Sequence, residues 1–140
     1  MFCFTGDPNF SASELLDKLA IYDDVEIVPG ISSVQIAASK AGVAFEDSIF
    51  ISFHKGGSLE EVQKELLYRV KGNKNIILLP RPYDFMPEEI AGYLMRNGVR
   101  PDTEAIIFQN LTLKDEKESR LSLKDISGEF SDLCIMVIKR

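Results

Sequence analysis

The 140-residue sequence has only one histidine, His54, and two cysteines, Cys3 and Cys134, which lie at opposite ends of the chain. So few and such scattered ligands exclude a zinc-type metal site, and they do not support a hydrolytic triad. Both cysteines lie within apolar runs, MFCF and LCIMVI. This predicts two small core residues in a reducing, cytoplasmic compartment, with a disulfide only if their strands are neighbours.

The sequence also has no long apolar run and no basic excess. No segment approaches the roughly 20 apolar residues of a membrane-spanning helix, and no signal peptide is visible. The 16 Lys and Arg residues oppose 22 Asp and Glu residues, for a net charge of −6. General nucleic-acid binding requires a basic face, so neither a nucleic acid nor a membrane is expected as a partner. A local basic cleft for an anionic ligand stays open.

Short β-like runs alternate with helical runs along the chain. Apolar runs predict strands over 2–5, 25–28, 48–53, 75–79, 104–108 and 132–138, with a short strand over 120–123. Apolar periodicity and capping residues predict helices from 11 or 13 to 20 and over 32–42, 58–70 and 87–97. This order predicts an α/β fold with parallel strand pairs and some antiparallel pairing at the last two strands.

Two of the predicted strands stop at Gly/Pro turns that lead directly into a helix. Gly6 and Asp7 follow the first strand, and Gly30 follows the second. Each turn is also ordinary turn and helix-capping chemistry. Ligands of α/β sheets bind beyond the carboxyl ends of strands, so two such turns favour a shared site. Ser32 and Ser33 at the helix start would present hydroxyl and N–H groups to a carboxylate there.

Polar groups also follow later strands. His54 and Lys55 precede a glycine pair, and they face either solvent or a ligand cleft in which Lys55 adds positive charge. Arg81 lies in the proline-stiffened loop 80–87, which is either a rigid connection or a carboxylate-binding loop. The charged run 115–118 is typical of a solvated loop.

The motifs GDP, VEIVPGISSVQIAASKAG, SFH, QNLT and GEFSDLCIMVI together resemble the tetrapyrrole methylase family, over residues 4–138. Within the family they are most similar to the branch that methylates C5 of precorrin-7 in cobalamin biosynthesis. The resemblance implies two α/β domains with S-adenosylmethionine in the cleft between them and S-adenosylhomocysteine as a product. Residues 1–42 would be the C-terminal half of the first, donor-binding domain, and 43–140 a second α/β domain with a mixed sheet.

The resemblance also implies site residues, motif by motif. The candidates for the S-adenosylmethionine pocket are Gly6, Asp7, Phe10, Ser32, Ser33, Pro80 and Leu111. The candidates for the peripheral carboxylates of the tetrapyrrole are His54, Lys55 and Arg81. No catalytic residue is assigned, because holding the two reactants in line can by itself supply roughly 7–11 kcal/mol.

The chain departs from the family pattern in two places. It has no Gly-x-Gly-Pro loop after a first strand, so we expect a fragment or a truncated copy, and SFHKGG replaces an SLHGR-like form. Two alternatives stay open: a non-catalytic dimerisation or binding module, and a relative that methylates another tetrapyrrole or diphthine. FSDL speaks against the latter. The family implies a homodimer and, as a further partner candidate, a decarboxylating methylase.

Overall fold

A computed structural model of the chain describes residues 2–3, 6–22, 24–54 and 58–140. In these ranges five strands form one mixed sheet: β1 (Ser48–Ser52), β2 (Asn75–Leu79), β3 (Glu104–Gln109), β4 (Lys117–Ser122) and β5 (Cys134–Ile138). Their order across the sheet is β1-β2-β5-β3-β4. β1 and β2 are parallel, β5 is antiparallel to β2 and β3, and β4 is antiparallel to β3. The predicted α/β fold with a mixed sheet is confirmed.

The helices lie close to their predicted bounds: α1 (Pro8–Ser11), α2 (Ser13–Ala20), α3 (Ser33–Ala41), α4 (Leu59–Val70) and α5 (Pro87–Arg96). Local chemistry explains where they begin and end. The Ser32 side chain caps α3 in a reciprocal pair with Gln35, and Gly42 ends it in the left-handed conformation at φ 66°. Pro87 occupies the first turn of α5, where a missing N–H costs no helical hydrogen bond.

The sheet is covered on both faces. α4 and α5 pack on one face, over a cluster that includes Leu66, Ile90 and Met136. α3 packs on the other face through Val34, Ala37, Ala38 and Ala41, over Ile77, Ile106, Ile135 and Val137. The central strand β5 is buried along its whole length because both of its faces are covered.

The position of α3 bears on the predicted domain division. Val34 at its start and Val43 after its end both contact the apolar cluster of the sheet. Residues on the two sides of the predicted 42/43 boundary therefore share one apolar core here. The division into 1–42 and 43–140 stays a prediction.

The two strands predicted near the N-terminus are not found among the described residues. Residues 4 and 5 lie outside them. Phe2 and Cys3 are exposed, and 25–28 has no regular secondary structure, with Val28 77% exposed. A strand needs a neighbour to accept and donate its backbone hydrogen bonds. No described strand lies beside 25–28, so its alternating apolar residues have no sheet to join.

The strand predicted at 120–123 is wrong in its extent. β4 begins at Lys117, pairs with all of β3 from Glu104 to Gln109, and ends at Ser122, after which Leu123 enters a 3-10 turn. Charged residues are typical of edge strands, where they oppose pairing with other chains. The apolar pattern therefore understates β4, and residues 117–118 do not belong to a connecting loop.

The cysteines differ from each other. Cys134 is buried in β5 as predicted, and burial raises the pKa of its thiol to about 12. Cys3 is exposed, so its prediction as a core residue is wrong, because no described strand encloses it. Both are free thiols. No helix within the described ranges combines the length and the apolar character that crossing a membrane requires.

Candidate functional site

The carboxyl ends of β1, β2 and β3 lie at the same edge of the sheet, because these strands point in one direction. His54 follows β1, Arg81 follows β2 and Leu111 follows β3. β5 lies between β2 and β3, so the ends of those two strands are about 10 Å apart. The structure therefore places these three candidates along one edge of the sheet.

The two Gly turns from the first part of the chain are in direct contact. A β-carbon on Gly30 would stand 2.5 Å from the Gly6 carbonyl oxygen, so only glycine fits there without a shift of the main chain. Gly6 has φ 83°, and a β-carbon on it would lie 3.7 Å from the Ser32 α-carbon. The predicted proximity of the turns is thus realised between main-chain atoms. A close main-chain approach of this kind leaves no room for a side chain between the turns and fixes them against each other.

Asp7 and Phe10 extend from the first turn. The Asp7 carboxylate accepts two hydrogen bonds from Asn9, one from the main-chain N–H at 2.9 Å and one from the side-chain Nδ2 at 2.8 Å. The bond from the main-chain N–H caps α1. The Phe10 ring meets Phe50 of β1 edge to face, with ring centroids 5.1 Å apart. Phe10 therefore joins the turn to the sheet face that α3 covers.

Ser32 and Ser33 have different surroundings. Ser32 is 3% exposed, and its hydroxyl oxygen accepts a hydrogen bond from the Gln35 N–H at 3.3 Å. Its own N–H donates to Gln35 Oε1 at 2.6 Å. The Ser32 polar groups thus serve the start of α3. Ser33 is exposed in the first turn of the helix, where its hydroxyl group is accessible to a ligand.

The loop after β2 holds its arginine in place. Pro80 is buried, and Arg81 Nε donates to Asp84 Oδ1 at 2.7 Å, with a second bond between Nη2 and Oδ2. Arg81 and Phe85 also exchange two main-chain hydrogen bonds of 3.1 Å, which closes a tight turn. The Arg81 guanidinium lowers the pKa of the Asp84 carboxyl. To bind a substrate carboxylate, Arg81 would have to exchange Asp84 for it.

The other two candidates for the substrate carboxylates are His54 and Lys55. His54 is exposed after the end of β1, and its main-chain N–H donates to the Ser52 hydroxyl oxygen at 3.2 Å. Lys55 lies outside the described residues. His54 thus lies at the same edge as Arg81, after the neighbouring strand, and its position suits either solvent or a cleft at that edge.

The loop after β3 contains two residues in the left-handed conformation, Asn110 at φ 51° and Thr112 at φ 69°. The Asn110 N–H donates to the Leu133 carbonyl at 2.8 Å, and the Ser131 hydroxyl donates to Asn110 Oδ1 at 2.7 Å. Leu111 lies between the two left-handed residues and packs against the apolar cluster under α3. Strained main chain of this kind is enriched at binding sites.

The interpretation of 115–118 as only a solvated loop is wrong at Glu116, which links two parts of the fold. Its Oε2 accepts a hydrogen bond from the Thr112 N–H at 2.7 Å, and its Oε1 lies 2.6 Å from Lys40 Nζ of α3. The hydrogen bond from Lys40 lowers the pKa of the Glu116 carboxyl. Sequence reasoning missed this residue because its cationic partner is far away along the chain and no local pattern signals the pair.

Two cavities lie away from the Gly6–Gly30 contact. One, of about 250 Å³, is at the opposite edge of the sheet and is lined by Lys71, Lys74, Arg100 and Arg140 among others. The other, of about 480 Å³, lies between α4 and α5, with Glu88 and Glu89 in its lining. Neither cavity is lined by the two turns or by the loop after β3. The candidate site is therefore described by the main-chain contacts around Gly6 and Gly30.

The chain is similar to known proteins both in sequence and in fold. The sequence model described as tetrapyrrole (corrin/porphyrin) methylases matches residues 1–127. The chain is similar to the probable cobalt-precorrin-7 C(5)-methyltransferase of Methanocaldococcus jannaschii, with 41% identity over 136 residues, 95% of this chain and 61% of that protein. The chain thus spans less than two thirds of this relative's length.

Solved structures share the fold. The methyltransferase CobJ superposes with a TM-score of 0.80 at 21% identity, over 97% of this chain and 62% of CobJ. Uroporphyrin-III C-methyl transferase from Thermus thermophilus, solved with S-adenyl homocysteine, has a TM-score of 0.67 at 19% identity, over 96% of this chain and 62% of its own.

Proposed function

The chain belongs to the tetrapyrrole (corrin/porphyrin) methylase family, and we propose that it methylates a corrin-ring precursor with S-adenosylmethionine, the methyl donor of that family. The substrate we propose is cobalt-precorrin-7 and the position C5, in cobalamin biosynthesis. The 41% identity to the M. jannaschii relative supports this choice. We further propose a cytoplasmic homodimer, a decarboxylating methylase as a further partner, and a division into a donor-binding part, 1–42, and a second domain, 43–140.

The contact between Gly6 and Gly30 is the observation that carries the proposed donor site. It fixes the two turns side by side through main-chain atoms. We place the cradle for the donor along these turns, where main-chain N–H and carbonyl groups would suit a ligand bound through its amino and carboxylate groups. Bound there, S-adenosylmethionine supplies an electrophilic methyl group on a sulfonium sulfur that departs as a neutral thioether.

The residues around the cradle would bind and orient the donor. Ser33 would donate to its carboxylate, and the main chain at Leu111 would contact it from the loop after β3. Phe10 would exclude water, since its ring already packs on Phe50. Gly6, Asp7, Ser32 and Pro80 would shape the walls. No acid or base is required at the methyl group, so orientation accounts for most of the expected rate.

His54, Lys55 and Arg81 are the proposed contacts for the substrate carboxylates. Arg81 is held by Asp84 in a two-bond pair, so substrate binding would replace one carboxylate with another at the same guanidinium. This exchange favours a substrate that offers several carboxylates. Replacing Asp84 with Asn should therefore strengthen substrate binding, whereas Arg81→Ala should weaken it.

Calorimetry with S-adenosylhomocysteine tests the donor site, and transfer of a labelled methyl group to cobalt-precorrin-7 tests the activity. We expect only weak binding of S-adenosylhomocysteine by these 140 residues alone, because the sequence lacks the Gly-x-Gly-Pro loop that would face the two turns. Failure to bind S-adenosylhomocysteine would overturn the donor site. Binding without transfer to any corrin precursor would favour the non-catalytic module. Unchanged substrate affinity after Lys55 and Arg81 are both replaced with Ala would overturn their assigned role.

A further inference from the structure

We propose that Glu116 is a positioning residue, which holds the main chain of Leu111 in place in the donor site by linking the loop after β3 to α3. The proposal rests on the proposed function, because it takes Leu111 as a donor contact. It assigns to Glu116 no contact with the donor or the substrate.

The first step concerns Thr112. A β-branched residue is strongly disfavoured at φ 69°, so this conformation needs support from its surroundings. The Glu116 carboxylate provides it by accepting a hydrogen bond from the Thr112 N–H at 2.7 Å. A charged acceptor makes a stronger hydrogen bond than a neutral one. Without it, we expect the peptide between Leu111 and Thr112 to rotate toward the ordinary extended conformation.

The second step concerns the other side of Leu111. Asn110 is anchored by the Leu133 carbonyl at 2.8 Å, by the Ser131 hydroxyl at 2.7 Å and, through Nδ2, by Asp115 at 2.7 Å. Leu111 therefore lies between one residue anchored by these three contacts and another anchored by Glu116. The first anchor ties the loop to the segment that leads into β5, and the second extends to α3.

The Glu116 carboxylate also reaches α3. Glu116 Oε1 pairs with Lys40 Nζ at 2.6 Å in the last turn of α3, and the Arg120 guanidinium donates to the Lys40 carbonyl at 3.2 Å. The same helix begins at Ser33, beside the Gly6–Gly30 contact. One carboxylate thus couples the loop that carries Leu111 to the helix that carries Ser33. The two walls of the proposed donor site are held in register through Glu116.

The test measures the affinity of the full chain for S-adenosylhomocysteine by calorimetry. We expect Glu116→Ala to weaken binding at least tenfold while circular dichroism shows a folded protein. Glu116→Gln keeps an acceptor for Thr112 but loses the ion pair, so it should lie between Glu116→Ala and the wild type. Glu60→Ala is the matched control, because Glu60 also pairs with a lysine, Lys64 at 2.6 Å, but on α4. It should bind as the wild type does.

A rescue experiment separates positioning from general stability. Glycine adopts positive φ without strain, so Thr112→Gly should restore part of the affinity lost in Glu116→Ala, although the link to Lys40 stays absent. A merely structural loss at Glu116 would not respond to that second change. Equal affinities of the wild type and Glu116→Ala, or a double variant no better than Glu116→Ala, would overturn the proposal.

A second readout keeps the two proposals distinguishable. If the wild type binds no S-adenosylhomocysteine, the donor assignment fails, and the link itself is judged by NMR. Glu116→Ala should then speed hydrogen exchange at the Thr112 amide and shift the amide signals of Leu111 and Ser33. Unchanged Leu111 and Ser33 signals would overturn the positioning role. If Glu116→Ala does not fold, Glu116→Gln and Lys40→Met are compared in the same measurements.

Discussion

Gly30 lies so close to Gly6 that a β-carbon on Gly30 would stand 2.5 Å from the Gly6 carbonyl oxygen. The neighbouring atoms are main chain, which cannot swing away as the end of a flexible side chain can. The two turns, separated by α1 and α2 in the sequence, are thus held at the distance that two glycines allow. Their separation determines the width of the proposed donor cradle.

We expect Gly30→Ala to force the two turns apart. Overpacking of this kind typically costs about 1–3 kcal/mol of unfolding free energy, and we expect affinity for S-adenosylhomocysteine to fall at least about tenfold. Urea denaturation and calorimetry measure the two effects. Gly92→Ala is the control: its new methyl group meets only the movable Arg96 guanidinium at 3.1 Å, in a helix where Ala is preferred. Normal binding by Gly30→Ala would show that the contact is not part of the site.

Ser32 and Ser33 should separate a capping role from a binding role. Ser32→Ala removes the cap of α3 and should lower the unfolding free energy by about 1 kcal/mol, measured by urea denaturation. Ser33→Ala removes an exposed hydroxyl and should leave stability within about 0.5 kcal/mol. If Ser33 contacts the donor, its variant should lose affinity for S-adenosylhomocysteine without losing stability. Unaltered affinity would remove Ser33 from the site.

The pair of Glu116 and Lys40 predicts a pH-dependent stability. The hydrogen bond from Lys40 lowers the pKa of Glu116 below 4.5 in the folded chain, so this contribution is fully present above about pH 4.5. It is lost as the pH falls through the folded value. Urea midpoints of the wild type and Glu116→Gln should therefore differ at pH 7, and the difference should shrink as the pH falls below 4.5. A difference that is independent of pH would show that the charge of Glu116 contributes nothing.

The two thiols should react very differently. Burial holds the pKa of Cys134 at about 12, so little thiolate forms at pH 8, whereas Cys3 is exposed. Titration with a thiol reagent should therefore detect one reactive cysteine in the folded chain and two in denaturant. Cys3→Ser should leave none in the folded chain. Rapid modification of Cys134 without denaturant would mean that β5 opens readily.

Local chemistry made much of the fold predictable from the sequence. Ser32 and Gly42 bound α3 because a capping hydroxyl and a left-handed glycine act within one turn of the helix. NIILL predicted β2 to the residue, because a short apolar run between turns needs burial on both faces. The order of strands and helices then followed from these short-range signals. Strand-end turns indicated most of the candidate residues, and the family motifs added Phe10, Pro80 and Leu111 and gave all of them their expected roles.

Only the tertiary structure decided which apolar runs pair and which distant charges meet. VEIV and NIILL are similar apolar patterns, yet 25–28 lacks a neighbouring strand among the described residues, whereas β2 lies between β1 and β5. From the sequence, Glu116 is one charge in a polar loop; only the packing of α3 on the sheet brings Lys40 to it. Hydrogen bonding between strands and ion pairing between distant segments depend on neighbours in space. The sequence determined the helices and the buried strands, because their signals are local, and the packing of α3 on the sheet decided the geometry of the candidate site.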